Sequence, residues 1–451
     1  MRKEPLRSAL ACLCLLSATL PALGAEVASF DLDNGMEVVV LEDRRAPIVV
    51  HMVWYRVGAA DEPPGRSGVA HYLEHLMFKG TDDLASGEFS RIVARNGGES
   101  NAFTSQDYTA YFQKVAADRL ELMMRMEADR MRDLQISEAE ALTERDVILE
   151  ERNQRFDNEP SALFSEQRGA AQYMNHPYGI PLIGWRREME RLSLDDALAF
   201  YRRFYAPNNA ILIVAGDVDS NQVRELAERY YGPLEPTLDL GERERPQEPP
   251  QLAERRLTME DPRVSQPVLI RTYLAAERDS GAQEEAAALE ILARLLGGGA
   301  ATSALGRKLQ FEEQKALHVS AFYNGTSFDD TTLGIYVLPA PEVGLAEAEE
   351  ALDRALAEFR EEGVDPEDLA RVKTQIAASL VYGEDDIEAL ARRYGRALTS
   401  GLTLADIESW PETLASVTAE DVLDAADRIF DSRNAVTGWL MEQGTGEETS
   451  R

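Results

Sequence analysis

Two kinds of hydrophobic pattern follow one another along the chain and predict a protein of mixed strands and helices. Short apolar runs, such as Val49–Tyr55 and Gln266–Tyr273, have the length and composition of strands. Longer segments, such as Leu120–Arg132 and Gln283–Leu296, repeat apolar residues every three or four positions, as helices packed on one face do. The chain therefore contains strands and helices in succession rather than one type alone.

The order of these predicted elements occurs twice. Ile136–Glu140 matches Val364–Asp368, and Gln106–Tyr111 matches Asp329–Gly334 more loosely, each pair roughly 220–230 residues apart, which indicates a duplicated domain and not a short repeat. The segments expected to correspond are a strand-like run followed by two helices in each half: Ser100–Gln113, Leu120–Arg132 and Ser137–Asn153 in the first, and Ser320–Leu338, Leu345–Glu361 and Asp365–Val381 in the second.

The charged, proline-rich stretch Pro233–Arg256 is the expected connection between the copies. A length of 451 residues also favours two domains over one. We predict an N-terminal domain at residues 25–235, a linker at 236–256 and a homologous C-terminal domain at 257–451.

The first 24 residues have the pattern of a secretory signal peptide. Positive residues precede the apolar stretch Ala9–Leu20, and Ala22–Gly24 offers small residues for cleavage before Ala25. Both cysteines, Cys12 and Cys14, lie in this segment, so the mature chain would contain no disulfide. We expect export; an uncleaved signal that tethers the protein to a membrane is the alternative.

The charge of the chain excludes some partners. The formal net charge is −33, which argues against nucleic acid and anionic membrane surfaces. No stretch after the signal has 18 uninterrupted apolar residues, so no membrane span is expected. The acidity fits either a surface adapted to high external salt or an ordinary acidic protein.

The segment His71-Tyr72-Leu73-Glu74-His75 carries the clearest chemistry. It reads H-x-x-E-H, a zincin motif in reverse order, and it uses two of only five histidines in the chain. Positions i and i+4 share one helix face, so His71 and His75 can bind one metal ion while Glu74 reaches a water beside it. The alternative is two surface histidines on a solvated helix.

The run Gly68–Thr81 resembles the active-site helix of the pitrilysin/insulinase metallopeptidases, a family that includes the mitochondrial processing peptidase β subunit. The resemblance covers nearly all of the mature chain. It implies an α+β fold of two duplicated domains, each a mostly antiparallel sheet packed with helices on one face. It also implies one Zn2+ per chain. Gly80 is expected to end the motif helix as a C-cap.

The same resemblance implies the remaining metal-site residues. Thr143–Glu151 looks like the second site helix of the family, which makes Glu151 the third metal ligand and Glu144 a carboxylate that orients a ligand imidazole. Glu150 is the alternative ligand, because a shift of one residue exchanges it with Glu151. Glu74 is expected to activate the water that attacks the peptide.

Two further segments resemble family sequences near the cleft. Gly97–Thr104 is similar to the strand edge that binds substrate, which makes Asn101 and Ala102 substrate-contact candidates; an ordinary turn into a strand is the alternative. His176 lies in the second segment, His176–Gly179, and is expected to have a structural role.

The chain departs from the family pattern in its second half. Many members place an Arg and a Tyr there that hold the substrate carbonyl, whereas this chain has Gln310 and Leu317 at the matching positions. The departure implies that a homologous subunit supplies Arg and Tyr in a heterodimer. A homodimer and a misaligned loop are the alternatives.

These observations predict a periplasmic zinc endopeptidase that hydrolyses peptides or unfolded polypeptides. The resemblance and the predicted signal together point to the bacterial periplasm. The alternatives are a non-catalytic structural or assembly subunit of the same fold and a factor that processes one dedicated precursor.

Overall fold

The computed structural model describes residues 26–444, so the predicted signal peptide lies outside the described residues. The strands are β1 (Glu26–Asp31), β2 (Glu37–Glu42), β3 (Ile48–Tyr55), β4 (Gly80–Thr81), β5 (Glu99–Thr104), β6 (Thr109–Ala116), β7 (Leu134–Gln135), β8 (Ala210–Gly216), β9 (Arg255–Glu260), β10 (Val268–Ala275), β11 (Ala316–Tyr323), β12 (Thr331–Pro339) and β13 (Ala435–Met441).

The α-helices are α1 (Val69–Leu76), α2 (Glu88–Arg95), α3 (Leu120–Arg132), α4 (Glu138–Arg152), α5 (Pro160–Gln172), α6 (Arg186–Met189), α7 (Leu194–Phe204), α8 (Ser220–Tyr230), α9 (Glu284–Gly297), α10 (Leu345–Glu362), α11 (Pro366–Gly383), α12 (Ile387–Thr399), α13 (Leu404–Ser416) and α14 (Ala419–Ile429). Two π-helical turns, Asn153–Asp157 and Gly306–Glu312, lie between them. Short 3-10 turns are Ala59–Asp61, Ala117–Arg119, Pro177–Gly179, Pro207–Asn209 and Ser432–Asn434.

Two large sheets carry the fold, one in each half of the chain. The first has the strand order β1-β2-β8-β3-β6-β5 and the second the order β11-β12-β10-β13-β9. All neighbouring strands are antiparallel except β2 with β8 and β13 with β9. The predicted α+β fold with mostly antiparallel sheets is therefore confirmed.

Each sheet buries one face under helices of its own half, as predicted. In the first half, alternate residues of β3, such as Val49 and Val53, pack against helices that include α1 and α3. In the second half, Ile335 and Val337 of β12 pack against α9, α10 and α14. The alternation of strand side chains between two faces produces this one-sided core.

The opposite face of each sheet is covered by a helix from the other half, which the sequence did not reveal. Helix α12 packs on the first sheet, and Gly395 admits the ring of Trp54 so closely that a Cβ there would lie 2.0 Å from the indole. Helix α5 packs on the second sheet, where Phe164 lies against Gly438 of β13. Because α12 packs on the first sheet and α5 on the second, this exchange of helices holds the two halves together.

The predicted linker is an irregular strap that is mostly exposed but directs two arginine side chains toward the protein interior. Residues 231–254 form no helix or strand in the described chain, and they connect α8 to β9. The side chains of Arg243 and Arg245 turn inward and are only 16% and 2% exposed. The predicted domain boundaries themselves remain a prediction.

The prediction that Gly80 ends the motif helix is wrong. Helix α1 ends at Leu76, and Gly80 begins the two-residue strand β4, which pairs antiparallel with β7. The extended backbone that this pairing requires cannot be a left-handed helix cap.

Within residues 26–444, we find no helix with the length and apolar character needed to cross a bilayer.

We expect Gly395→Ala to lower the free energy of unfolding by roughly 1–3 kcal/mol, because the added methyl group overlaps the Trp54 ring. Gly169→Ala in α5 is the matched control, since a Cβ there would meet no atom within 4 Å. The control should be neutral or should stabilise by about 0.5–1 kcal/mol through better helix propensity. Denaturant unfolding of both variants measures the difference, and equal stabilities would contradict the helix exchange.

Candidate metal centre

Helix α1, which carries the H-x-x-E-H motif, begins after a glycine whose backbone is sterically constrained. Gly68 precedes it with φ +90, and a Cβ at Gly68 would lie 2.5 Å from the carbonyl oxygen of Ile183. The Glu62 carboxylate accepts hydrogen bonds from the N–H groups of Gly68 and Ala70, both at 2.8 Å. Burial raises the pKa of Glu62 to about 8, so the side chain acts here as a hydrogen-bond acceptor that satisfies free N–H groups and fixes where α1 begins.

Three predicted ligands converge between α1 and α4. His71 and His75 lie one turn apart on α1, and Glu151 comes from the end of α4. Glu151 Oε2 is 3.8 Å from His71 Nε2 and 3.4 Å from His75 Nε2, and one ligand atom of each residue lies within 4.8 Å of the others. Tetrahedral zinc with bonds of about 2.0–2.2 Å separates such atoms by about 3.4 Å, so the two distances from Glu151 suit one shared ion.

The outer hydrogen bonds of the site also suit a metal. His75 Nδ1 lies 2.9 Å from Glu144 Oε1, and Glu144 pairs through its other oxygen with Lys79. This contact fixes the imidazole so that Nε2 presents its lone pair to the ion. Glu144 thus occupies the place predicted for it. His71 Nδ1, in contrast, is buried without a hydrogen-bond partner among residues 26–444.

The charges at the site are arranged for a cation. Burial and the neighbouring His75 lower the pKa of His71 to about 4, so this imidazole is neutral at pH 7. Burial opposes the protonation of His75, but its hydrogen bonds with Glu144 and Glu151 overcome this and raise its pKa to about 9. The hydrogen bond with His75 lowers the pKa of Glu151. A metal cation can replace the proton that the carboxylates otherwise hold on His75.

Glu74 lies beside these ligands at the edge of the first sheet. Its Oε2 accepts a hydrogen bond from the Thr104 hydroxyl at 2.5 Å, and Thr104 is the last residue of β5. Burial raises the pKa of Glu74, while the Thr104 hydrogen bond opposes that rise. A carboxylate with a raised pKa, fixed next to a metal group, is suited to act as a general base.

The substrate-contact candidates lie on this same strand. β5 pairs with β6 and forms one edge of the sheet. Asn101 is exposed, and its Oδ1 accepts a hydrogen bond at 2.9 Å from the backbone N–H of Ala102. A peptide that added to this edge would compete with the Asn101 side chain for that N–H.

The structure places the other candidates away from the metal group. Glu150 faces solvent and accepts hydrogen bonds from Asn153 and Gln154, which leaves Glu151 as the carboxylate at the histidines. Buried His176 accepts a hydrogen bond from Tyr178 N–H and lies 3.0 Å from Asp329, as a structural residue would.

Gln310 and Leu317 cannot hold a substrate carbonyl in the way that Arg and Tyr do in many family members. The Gln310 amide donates to the carbonyl oxygen of Leu317 at 2.8 Å and accepts from Val319 N–H at 3.3 Å, so it fastens the π-helical turn Gly306–Glu312 to β11. The Leu317 side chain is half-exposed and carries no donor.

Two residues at the site were not predicted from the sequence. Arg155, in the π-helical turn after α4, lies 2.7 Å from Glu151 Oε1; its i+4 spacing from Glu151 was a usable signal. Thr104 gave no such signal, because thirty residues separate it from Glu74 and only the fold joins them.

Comparison with known proteins identifies the family of the chain. A model of the insulinase family, peptidase family M16, matches residues 37–185, and a model described as the peptidase M16 inactive domain matches residues 191–376. Zinc protease PqqE of Helicobacter pylori is 29% identical over 419 residues, which span 91% of this chain and 92% of that protein.

Solved structures share the whole fold. A protease from Helicobacter pylori superposes with a TM-score of 0.85 at 28% identity, over 92% of this chain and 99% of that one. The first half of the periplasmic protease PqqL from Escherichia coli has the same fold, with a TM-score of 0.80 at 20% identity over 93% of each chain. This chain corresponds to 48% of complete PqqL. The chain belongs to the insulinase family of zinc proteases, peptidase family M16.

Proposed function

We propose that this protein is a zinc-dependent endopeptidase that hydrolyses peptides or unfolded polypeptides. The observation that carries the proposal is the convergence of His71, His75 and Glu151 beside a partly buried Glu74. The names of its relatives as zinc proteases support the same class of reaction.

The residues divide the work of hydrolysis between them. A zinc ion held by His71, His75 and Glu151 would polarise the scissile carbonyl and acidify a water molecule. Glu74 would take up a proton from the attacking water and deliver it to the leaving nitrogen of the peptide, while the Thr104 hydroxyl holds the Glu74 carboxylate in place.

The edge of β5 explains why the substrate would be extended. Backbone groups on a free strand edge bind another backbone in register and do not require a particular side chain at each position. A folded protein cannot present such a strand without local unfolding. The site would therefore select flexible peptides over compact proteins.

A non-catalytic assembly subunit is the competing function. Such a subunit has no need for two half-buried imidazoles held against Glu144 and Glu151, because grouping these side chains requires their partial desolvation. The partial burial of Glu74, which raises its pKa, adds to that cost. Processing of one dedicated precursor remains an alternative within the peptidase class.

We also propose that the mature chain works in the periplasm with a homologous subunit. The signal pattern before Ala25 supports export. Gln310 and Leu317 leave this chain without the Arg and Tyr that many family members use on the substrate carbonyl. PqqL, in which this fold makes up only half of one chain, supports the pairing of two such units.

Glu74→Gln should retain one zinc per chain and lose activity by roughly 10²–10⁴-fold, because the amide cannot take up the proton of the water. Glu150→Gln is the matched control, since it makes the same change on the exposed side of α4. Zinc content and the rate of cleavage of a quenched peptide are measured on both. Near wild-type turnover by Glu74→Gln would refute its role as the base.

Glu144→Gln should weaken zinc binding by about 10–100-fold while leaving the three ligands in place, because it removes the charge that orients His75. Glu151→Gln should weaken it further, since it removes a ligand. Competition with a chromophoric chelator measures both dissociation constants. Wild-type affinity in Glu151→Gln would show that another residue completes the site.

The partner and the location are tested together by tagging the chain in its own cells and purifying it from the periplasmic extract. The mature protein should begin at Ala25 and elute with a homologue that carries Arg and Tyr. The mixture should cleave peptide roughly 10²-fold faster than the chain alone, which is the usual effect of an oxyanion donor. Equal rates with and without the homologue would contradict the need for a second subunit.

A further inference from the structure

A buried cluster of charges lies where the strap meets both halves of the chain. The Arg245 side chain, 2% exposed, forms a forked pair with Asp61 at 2.9 and 3.0 Å. Its Nη1 also lies 2.7 Å from Asp107 and 2.9 Å from Asp329. One guanidinium thus holds three carboxylates from three separate segments, a geometry for which its planar fork is suited.

Arg243 reinforces the same cluster from the strap. It pairs with Asp61 at 2.6 Å and donates to the backbone carbonyl of Asp107 at 2.6 Å. Both guanidinium groups lie over the Phe328 ring, at 4.6 and 5.3 Å from its centre. Burial would raise the pKa of Asp61, but the two arginines lower it, so the carboxylate stays charged.

The Asp61 branch leads to the start of the metal-site helix. Asp61 is followed directly by Glu62, whose carboxylate accepts the first N–H groups of α1 from Gly68 and Ala70. A displacement of Asp61 would therefore also displace Glu62, which holds the N-terminus of α1. His71 follows Ala70 immediately along the chain.

The Asp107 branch leads to the strand that holds Glu74. Asp107 lies in the turn between β5 and β6, three residues after Thr104, whose hydroxyl contacts Glu74. The two branches are also joined to each other: Ala59 and Ala60 N–H groups donate to the carbonyl oxygens of Ser105 and Gln106, at 2.9 and 3.0 Å. The cluster therefore fixes the position of Glu74 relative to the start of helix α1, which carries His71 and His75.

The third branch brings in the other half of the protein. Asp329 lies two residues before β12, and Asp107 lies two residues before β6, so the strands align these two aspartates, one residue away from the looser sequence match that pairs Gln106 with Asp329. His176 contacts the same Asp329 oxygen at 3.0 Å. Arg245 is thus one of the side chains that tie the segments around the metal centre to the C-terminal half, together with His176 and Tyr178.

We propose that Arg245 is a positioning residue for the metal centre, which sets the placement of Glu74 and of the N-terminus of α1 and makes that placement depend on the C-terminal half. This inference rests on the proposed peptidase function for its kinetic consequence. A small displacement of catalytic groups can lower a rate roughly 10²-fold without removing any of them. Arg245 itself need not touch substrate.

The test compares Arg245→Lys with Arg271→Lys in the full mature chain. Arg271 is also buried in an ion-pair cluster, but its partners Glu349, Asp353 and Thr437 all belong to the C-terminal half. Lysine keeps the charge and loses the fork in both variants. Thermal unfolding, zinc content, kcat and KM for a quenched peptide, and hydrogen exchange are measured on each, with any partner subunit that the wild type requires.

We expect both variants to lose some stability and to keep one zinc per chain. Arg245→Lys should lower kcat roughly tenfold or more with little change in KM, because the bound substrate meets a misplaced base. Amides in residues 59–70 and 99–108 should exchange faster in Arg245→Lys than in Arg271→Lys. Equal kcat and equal exchange in these segments would overturn the proposal.

A second pair of variants covers the case in which Arg245→Lys does not fold. Asp329→Asn removes one carboxylate of the cluster, and Glu349→Gln removes one from the Arg271 cluster as its control. Asp329→Asn should lower kcat more than Glu349→Gln, and the reverse order would overturn the proposal. If the wild-type chain cleaves no peptide, the peptidase function fails, and hydrogen exchange alone then decides whether Arg245 positions the two segments.

Discussion

Three ligand atoms can share one ion only if helix α1 is held firmly against helix α4, because His71 and His75 come from one helix and Glu151 from the other. Two side-chain contacts fix this pair. The Tyr72 hydroxyl donates to the carbonyl oxygen of Ala141 at 2.5 Å, and His75 contacts Glu144 at 2.9 Å. The second contact also selects the imidazole nitrogen that faces the metal position, so packing and metal chemistry depend on the same side chain.

The duplicated architecture supports this pair from a distance. Each half covers its own sheet on one face and relies on a helix of the other half for the opposite face, through the contacts of Trp54 with Gly395 and of Phe164 with Gly438. The aspartates that the strands of the two halves align, Asp107 and Asp329, meet at Arg245. The second half carries no metal group among its described residues, yet it shapes the first half by packing and by charge.

Local features of the sequence were enough to predict much of this. The ends of α3, α4, α10 and α11 agree with the predicted bounds to within two residues, because apolar spacing and capping residues such as Ser137 and Asp365 act over a single turn. The placement of His71, His75, Glu151 and Glu144 followed from helical spacing and a family resemblance.

What the sequence concealed depends on contacts between distant segments. An amphipathic helix such as α12 reveals that one face is buried but not which sheet buries it. A charged, proline-rich stretch looks solvated, whereas Arg245 is buried and Arg243 is partly buried, because aspartates from other segments neutralise them. The two long strand-like segments, Ser100–Gln113 and Ser320–Leu338, each form a pair of strands whose intervening turn contains a cluster aspartate.

The most direct test of the account is a zinc titration of the metal-free mature chain, followed by cleavage of an unstructured quenched peptide, in the presence of the partner subunit if one is required. Activity should rise in proportion to added zinc and reach its limit at one ion per chain. Cleavage that does not depend on zinc, or a chain that binds one zinc and remains inactive with and without its partner, would contradict the proposed peptidase.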